Sequence, residues 1–160
     1  MFGDRTYQLF RISGIRIGAS PSWFLVLFLM IWWLSQYFQT ILTVSDSSAF
    51  LVAVAATFLF FLSLLLHELG HALTARRLGI GTSGIDLWLF GGMAKLTRDS
   101  KTPGEEFKVA AAGPAVTAVI VAVCFGVGAL FSRWSGVVDT ATFRDDTVSP
   151  GTALIGWLAT

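Results

Sequence analysis

Charge is scarce in this sequence. Only 13% of its 160 residues are Asp, Glu, Lys or Arg, about half the share of an ordinary soluble domain. Basic residues form no block and do not interleave with aromatics, and the formal net charge is +1, so nucleic acid is not an expected partner. Cysteine is nearly absent. Cys124 stands alone, which excludes an internal disulfide, and its setting, VIVAVCFGVGAL, suits a small packed hydrophobe. The N-terminal stretch MFGDRTYQLFRISGIRIGAS lacks the unbroken apolar core of a cleaved signal peptide. The first apolar span is therefore expected to be an uncleaved anchor.

What fills the chain is hydrocarbon. Apolar residues make up 54%, with six tryptophans and fourteen phenylalanines. A bilayer-crossing helix needs about 20 apolar residues. Three runs qualify, over residues 22–41, 49–73 and 107–131, and a fourth begins at 152 as TALIGWLAT. The reading is an α-helical integral membrane protein with three full transmembrane helices and the start of a fourth. It forms a single membrane-embedded domain over 1–160, expected to be incomplete at its C-terminal end. Arg5, Arg11 and Arg16 precede the first span. Arg76, Arg77, Lys95, Arg98, Lys101 and Lys108 follow the second. The positive-inside rule then puts the N-terminus and the loop after span two in the cytoplasm.

Two stretches break the helical pattern. Gly14–Gly18, GIRIG, alternates like a short interfacial strand. GIDLWLFGGMAKLTR also alternates, and Gly91-Gly92 permits a tight turn or bulge. A small hairpin or re-entrant β element at the membrane surface is expected, its polar backbone paired or lining a wet cavity.

The second span ends in LLLHELGHAL. A charged residue inside a bilayer costs about 2.5–3.5 kcal/mol on insertion scales, so this cluster needs a compensating purpose. His67 and His71 are the chain's only histidines. At i and i+4 they share one helix face, where two neutral imidazoles can bind one Zn²⁺. Glu68 borders that face and suits the general base of an H-E-x-x-H metalloprotease, taking a proton from a zinc-activated water that attacks a peptide carbonyl. The bland alternative, a chance match of packed polar residues, fits poorly with so apolar a span.

Here the sequence resembles the site-2 protease family of intramembrane zinc metalloproteases. The resemblance runs through GIRIGASPSWF, LLLHELGHALTARRLGI, LWLFGGMAKL and EEFKVAAAGPAVTAVI. It is nearest in look to the compact bacterial and archaeal type whose longer members end in CBS domains. It implies His67 and His71 as zinc ligands, Glu68 as catalytic base, and an active site toward the cytoplasmic face of a bacterial or archaeal cell membrane. It further implies that Phe90, Gly91, Gly92 and Met93 lie along an extended substrate, with an ordinary turn as the alternative for the glycines. Single-span membrane proteins would be the substrates. Membrane lipid would be a partner, and a homo-oligomer is an open arrangement.

A catalytic zinc site takes three protein ligands and an open position. The family's third ligand is an aspartate in a later helix. No segment here matches it, so that ligand is expected beyond Thr160. Asp86 is expected to be solvated or paired with an Arg or Lys rather than to bind metal. For Gly113-Pro114 the leading reading is close helix packing and the lesser one a kink that lines the site cavity. Thr117 is weakly indicated for a transition-state role. The competing function is a catalytically inactive or truncated relative that binds transmembrane partners without cutting them. A zinc transporter would need more coordinating residues along several spans.

Overall fold

The computed structural model describes residues 6–42, 45–88, 91–98 and 100–131. Three helices carry most of them: α1 (Pro21–Ile41), α2 (Asp46–Arg77) and α3 (Pro103–Phe131). All three are long and apolar enough to cross a membrane. They begin earlier than hydropathy alone suggested, and the reason lies in their caps. Pro21 occupies the first helical position, where a missing N–H costs nothing. Ser45 caps α2 by accepting the Ser48 N–H at 3.4 Å. Thr102 caps α3 by accepting the Glu105 N–H at 3.2 Å, while the Glu105 carboxylate reaches back to the Lys101 N–H at 2.9 Å. The expected fourth span lies outside the described residues.

Four strands form one sheet in the order β1 (Tyr7–Ile12), β2 (Ile15–Ala19), β3 (Thr82–Trp88), β4 (Gly91–Leu96). The expected GIRIG strand is β2, but it has a partner the hydropathy reading overlooked. β1 joins β2 through Ser13 and Gly14, both at positive φ, the geometry that suits a tight two-residue hairpin. β2 then pairs with β3 in parallel, and β3 with β4 antiparallel. Gly91-Gly92 is not the turn between β3 and β4. Gly91 pairs with Trp88 and Gly92 with Leu87, so both glycines belong to β4. Phe90 lies outside the described residues.

The chain packs as two units. The first holds the sheet, α1 up to Leu27, α2 from Ser63 and α3 up to Thr117. In it, Ile15, Ile17, Ala19, Ile85 and Leu87 project from one sheet face and are all buried. Removing an isoleucine side chain of this kind from water contributes about 1.5–3 kcal/mol. On the opposite face Asp86 is buried between Arg16 at 2.8 Å and Lys95 at 2.6 Å. Gly18, its register partner, leaves the room: a Cβ there would stand 2.6 Å from Asp86 Oδ1. Asp86 is thus paired, as expected, and sheltered rather than solvated.

The end of α2 is fixed to this sheet. Gly79 takes φ +72°, Ile80 donates to the Ala75 carbonyl and Gly79 to that of Arg76, which is a Schellman termination. Ile80 then packs with Ala75 and Val109. Arg76 donates to the Ser13 carbonyl in the β1–β2 turn, and Thr82 Oγ1 donates to the Ala72 carbonyl.

The second unit holds α1 from Phe28, α2 up to Leu62 and α3 from Ala118. There Leu34, Phe38 and Leu42 are buried with Ala49, Ala53 and Ala56. Leu34 and Phe38 of α1, with Leu42 just past its end, meet small side chains on α2. Such small residues let membrane helices approach closely. Further along α3, Cys124 is half-buried and free.

Candidate metal centre

α2 and α3 pack closely where LLLHELGHAL lies. Gly70 makes this approach feasible, since a Cβ there would meet Val116 Cγ2 at 2.9 Å and the Ala112 carbonyl oxygen at 3.0 Å. The packing reading of the Ala-Gly-Pro stretch therefore holds at Ala112. Both histidines project from this seam toward α3.

Each imidazole is held at Nδ1. His71 Nδ1 lies 2.6 Å from the Val109 carbonyl oxygen. A carbonyl only accepts, so His71 Nδ1 carries the proton and its Nε2 is a bare lone pair. His67 Nδ1 lies 2.8 Å from Thr117 Oγ1. The two Nε2 atoms face each other at 3.1 Å. Two nitrogens bound to one tetrahedral zinc at about 2.0–2.1 Å stand about 3.3–3.4 Å apart, so the observed spacing is close to that of a shared ion.

Gly113 supplies the space beside them. A Cβ on Gly113 would sit 2.6 Å from His67 Nε2 and would collide with His71 Nε2. The glycine is buried, and its missing side chain leaves a cradle at the point where both Nε2 atoms converge. Donor type, spacing and free volume all fit a zinc ion. Gly113 borders the histidines through its missing side chain, a different route from the kink ranked second from sequence. The signal was available in the spacing: Val109, Gly113 and Thr117 recur at i, i+4, i+8 on α3 and answer the i, i+4 pair of α2 in antiparallel order.

Glu68 turns toward the sheet. A Cβ on Gly92 would stand 2.9 Å from Glu68 Cδ and 3.3 Å from Oε1. Only a glycine lets β4 pass this close to the carboxylate. Among the described residues Glu68 makes no ion pair. Gly91 lies near Leu64 of the same helix, and Met93 is exposed on β4. β4 is the last strand in the sheet order, so its outer edge has no strand partner among the described residues. Asp86 is committed to Arg16 and Lys95 and does not join the histidines. Among the described residues no cluster of three His, Cys, Asp or Glu side chains comes together.

Comparison with known proteins identifies the family. The family model described as Peptidase family M50 matches residues 55–156, more than half of the chain. A protein of Synechocystis sp., named as a candidate zinc metalloprotease, is 37% identical over 119 residues, which cover 74% of this chain and 31% of that protein. Rip3 of Mycobacterium tuberculosis, named in the same way, is 36% identical over 123 residues, covering 75% of this chain and 30% of its own length. A zinc metalloprotease of Methanocaldococcus jannaschii is 32% identical over 125 residues, covering 78% and 33%. The chain thus spans about a third of the length of these curated relatives. Among solved structures, a site-2 protease from Methanocaldococcus jannaschii matches with a TM-score of 0.55 at 23% identity, covering 97% of this chain and 61% of that one. That likeness is one of fold.

Proposed function

The chain belongs to peptidase family M50, and from that premise we propose that it carries the zinc-binding and proton-transferring part of an intramembrane metalloendopeptidase of site-2 protease type. The observation that carries this reading is the convergence of the His67 and His71 Nε2 atoms, 3.1 Å apart, on a cradle left open by Gly113. His67 and His71 hold the ion, and a third protein ligand comes from outside the described residues. A bound zinc supplies Lewis acidity toward water and the scissile carbonyl.

The remaining chemistry falls to the chain's own groups. Glu68 accepts the proton of the attacking water and returns it to the leaving amine. The free edge of β4 receives the substrate as an added strand, at Gly91, Gly92 and Met93 together with Phe90. This accounts for the use of a sheet beside a membrane helix. A helical substrate segment hides its carbonyls in i→i−4 bonds, and an open strand edge repays the cost of unwinding it. The substrates are single-span membrane proteins, and the site faces the cytoplasm. The names of the curated relatives support zinc as the metal. The second reading, a non-cleaving relative that binds transmembrane partners, would keep the strand edge and dispense with Glu68. The intact Glu68 beside β4 favours cleavage.

The test is zinc per chain on tag-free protein in detergent, with cleavage of a single-span substrate read in parallel. About one zinc per chain is expected, lost in His67→Ala/His71→Ala and kept in Glu68→Gln, while cleavage disappears in both variants. Zinc retained without either histidine would overturn the site. Zinc without cleavage in the wild-type chain would favour the non-cleaving reading.

A further inference from the structure

The two histidines are held by unlike partners. His71 Nδ1 meets a backbone carbonyl, that of Val109, which can only accept. Its proton is therefore pinned on Nδ1 whether or not an ion is present. His67 Nδ1 meets a hydroxyl, that of Thr117, which can donate or accept. The same hydroxyl has a second acceptor in reach, the Gly113 carbonyl one turn back at 3.4 Å. Thr117 can thus turn its proton toward His67 or toward its own helix.

This freedom matters because the two Nε2 atoms are 3.1 Å apart. With His71 Nε2 bare, a second bare lone pair opposite it would be repulsive. Without metal, all demands are met by one chain of donors. The Thr117 hydroxyl donates to His67 Nδ1, His67 Nε2–H donates to His71 Nε2, and His71 Nδ1–H donates to the Val109 carbonyl. When both Nε2 atoms must face a cation, His67 has to carry its proton on Nδ1 instead. The Thr117 hydroxyl then rotates to the Gly113 carbonyl and accepts from Nδ1–H. No charge is created in the imidazole by this exchange. One proton moves from Nε2 to Nδ1 of the same ring through solvent, and one hydroxyl reverses its sense.

We propose that Thr117 is a positioning residue whose reversible hydroxyl lets His67 exchange tautomers between the metal-free and the metal-loaded chain, while Val109 keeps His71 fixed. The consequence for zinc rests on the reading of His67 as a ligand; the metal-free hydrogen-bond pattern does not. Outer partners of this kind typically tune metal affinity 10–100-fold.

The experiment uses histidine-labelled chain in detergent micelles, read by long-range ¹⁵N–¹H correlation of the ring nitrogens. Only two histidines contribute, and His71→Ala assigns them. Without metal, His67 is expected as the Nε2–H tautomer and His71 as Nδ1–H. In Thr117→Val the bare Nδ1 of His67 loses its donor, and its ¹⁵N resonance moves to the position of an unbonded imidazole nitrogen. Thr117→Ser restores it. On zinc titration, His67 changes to Nδ1–H, with an affinity lowered about 10–100-fold in Thr117→Val and near wild type in Thr117→Ser. His67 found as Nδ1–H without metal would overturn the proposal, as would a Thr117→Val chain with wild-type ring shifts and zinc affinity. A wild-type chain whose His67 stays the Nε2–H tautomer throughout the zinc titration would overturn the exchange. Equal uptake by wild type and Thr117→Val would overturn the exchange alone.

Discussion

Gly92 of β4 lies directly against the side chain of Glu68 on α2, so close that a methyl group on the glycine would stand 2.9 Å from the carboxylate carbon. The sheet edge and the acid thus share one location. This joins two features that are far apart in sequence and differ in kind, one a backbone and the other a proton acceptor.

Gly92→Ala tests that relationship. The added methyl must displace Glu68, because the strand backbone is tied to β3 through Leu87. Cleavage is expected to fall at least about tenfold, as for a misplaced general base, while zinc per chain stays at the wild-type level. Loss of zinc in this variant would mean that Gly92 supports the ion rather than the acid.

Gly113→Ala tests the cradle. Its methyl would occupy the point on which both Nε2 atoms converge. Zinc per chain is expected to drop to background while the helical circular dichroism is kept, since alanine favours a helix over glycine. Retained zinc would show that the ion sits elsewhere.

Gly70→Ala acts further out. The methyl meets the Ala112 carbonyl at 3.0 Å and Val116 at 2.9 Å, and a helix backbone does not yield as a side-chain tip does. α2 and α3 must separate, at about 1–3 kcal/mol for such overpacking. The bridges His71–Val109 and His67–Thr117 span the same seam, so thermal stability and zinc affinity should fall together. A fall in one alone would show that the seam and the site are independent.

Asp86→Asn separates structure from chemistry. The amide leaves Arg16 and Lys95 facing a neutral group in a sheltered place. A loss of about 1.5–3 kcal/mol is expected, the range for a hydrogen bond to a charged partner, visible as a lower melting temperature in detergent. Zinc per chain should not change. A loss of zinc at unchanged stability would make Asp86 a ligand after all.

The sequence by itself determined the three apolar helices and the pairing of His67 with His71 on one face. These follow from periodicity and composition, which act within a few residues along the chain. It also indicated β2 and the β3–β4 region through alternation. It did not determine that β2 would pair with β3 in parallel, that Gly91 and Gly92 would belong to a strand, or that β1 would exist. The last was signalled by Ser13-Gly14 between two strand-like runs. Nor could it rank the readings of Gly113 and Thr117. Thr117 is 50 residues from His67 in the chain, yet lies within hydrogen-bonding reach of it. Only tertiary structure decides such contacts. A lone pair, a hydroxyl and an absent methyl group have meaning together only once the backbone has placed them a few ångströms apart.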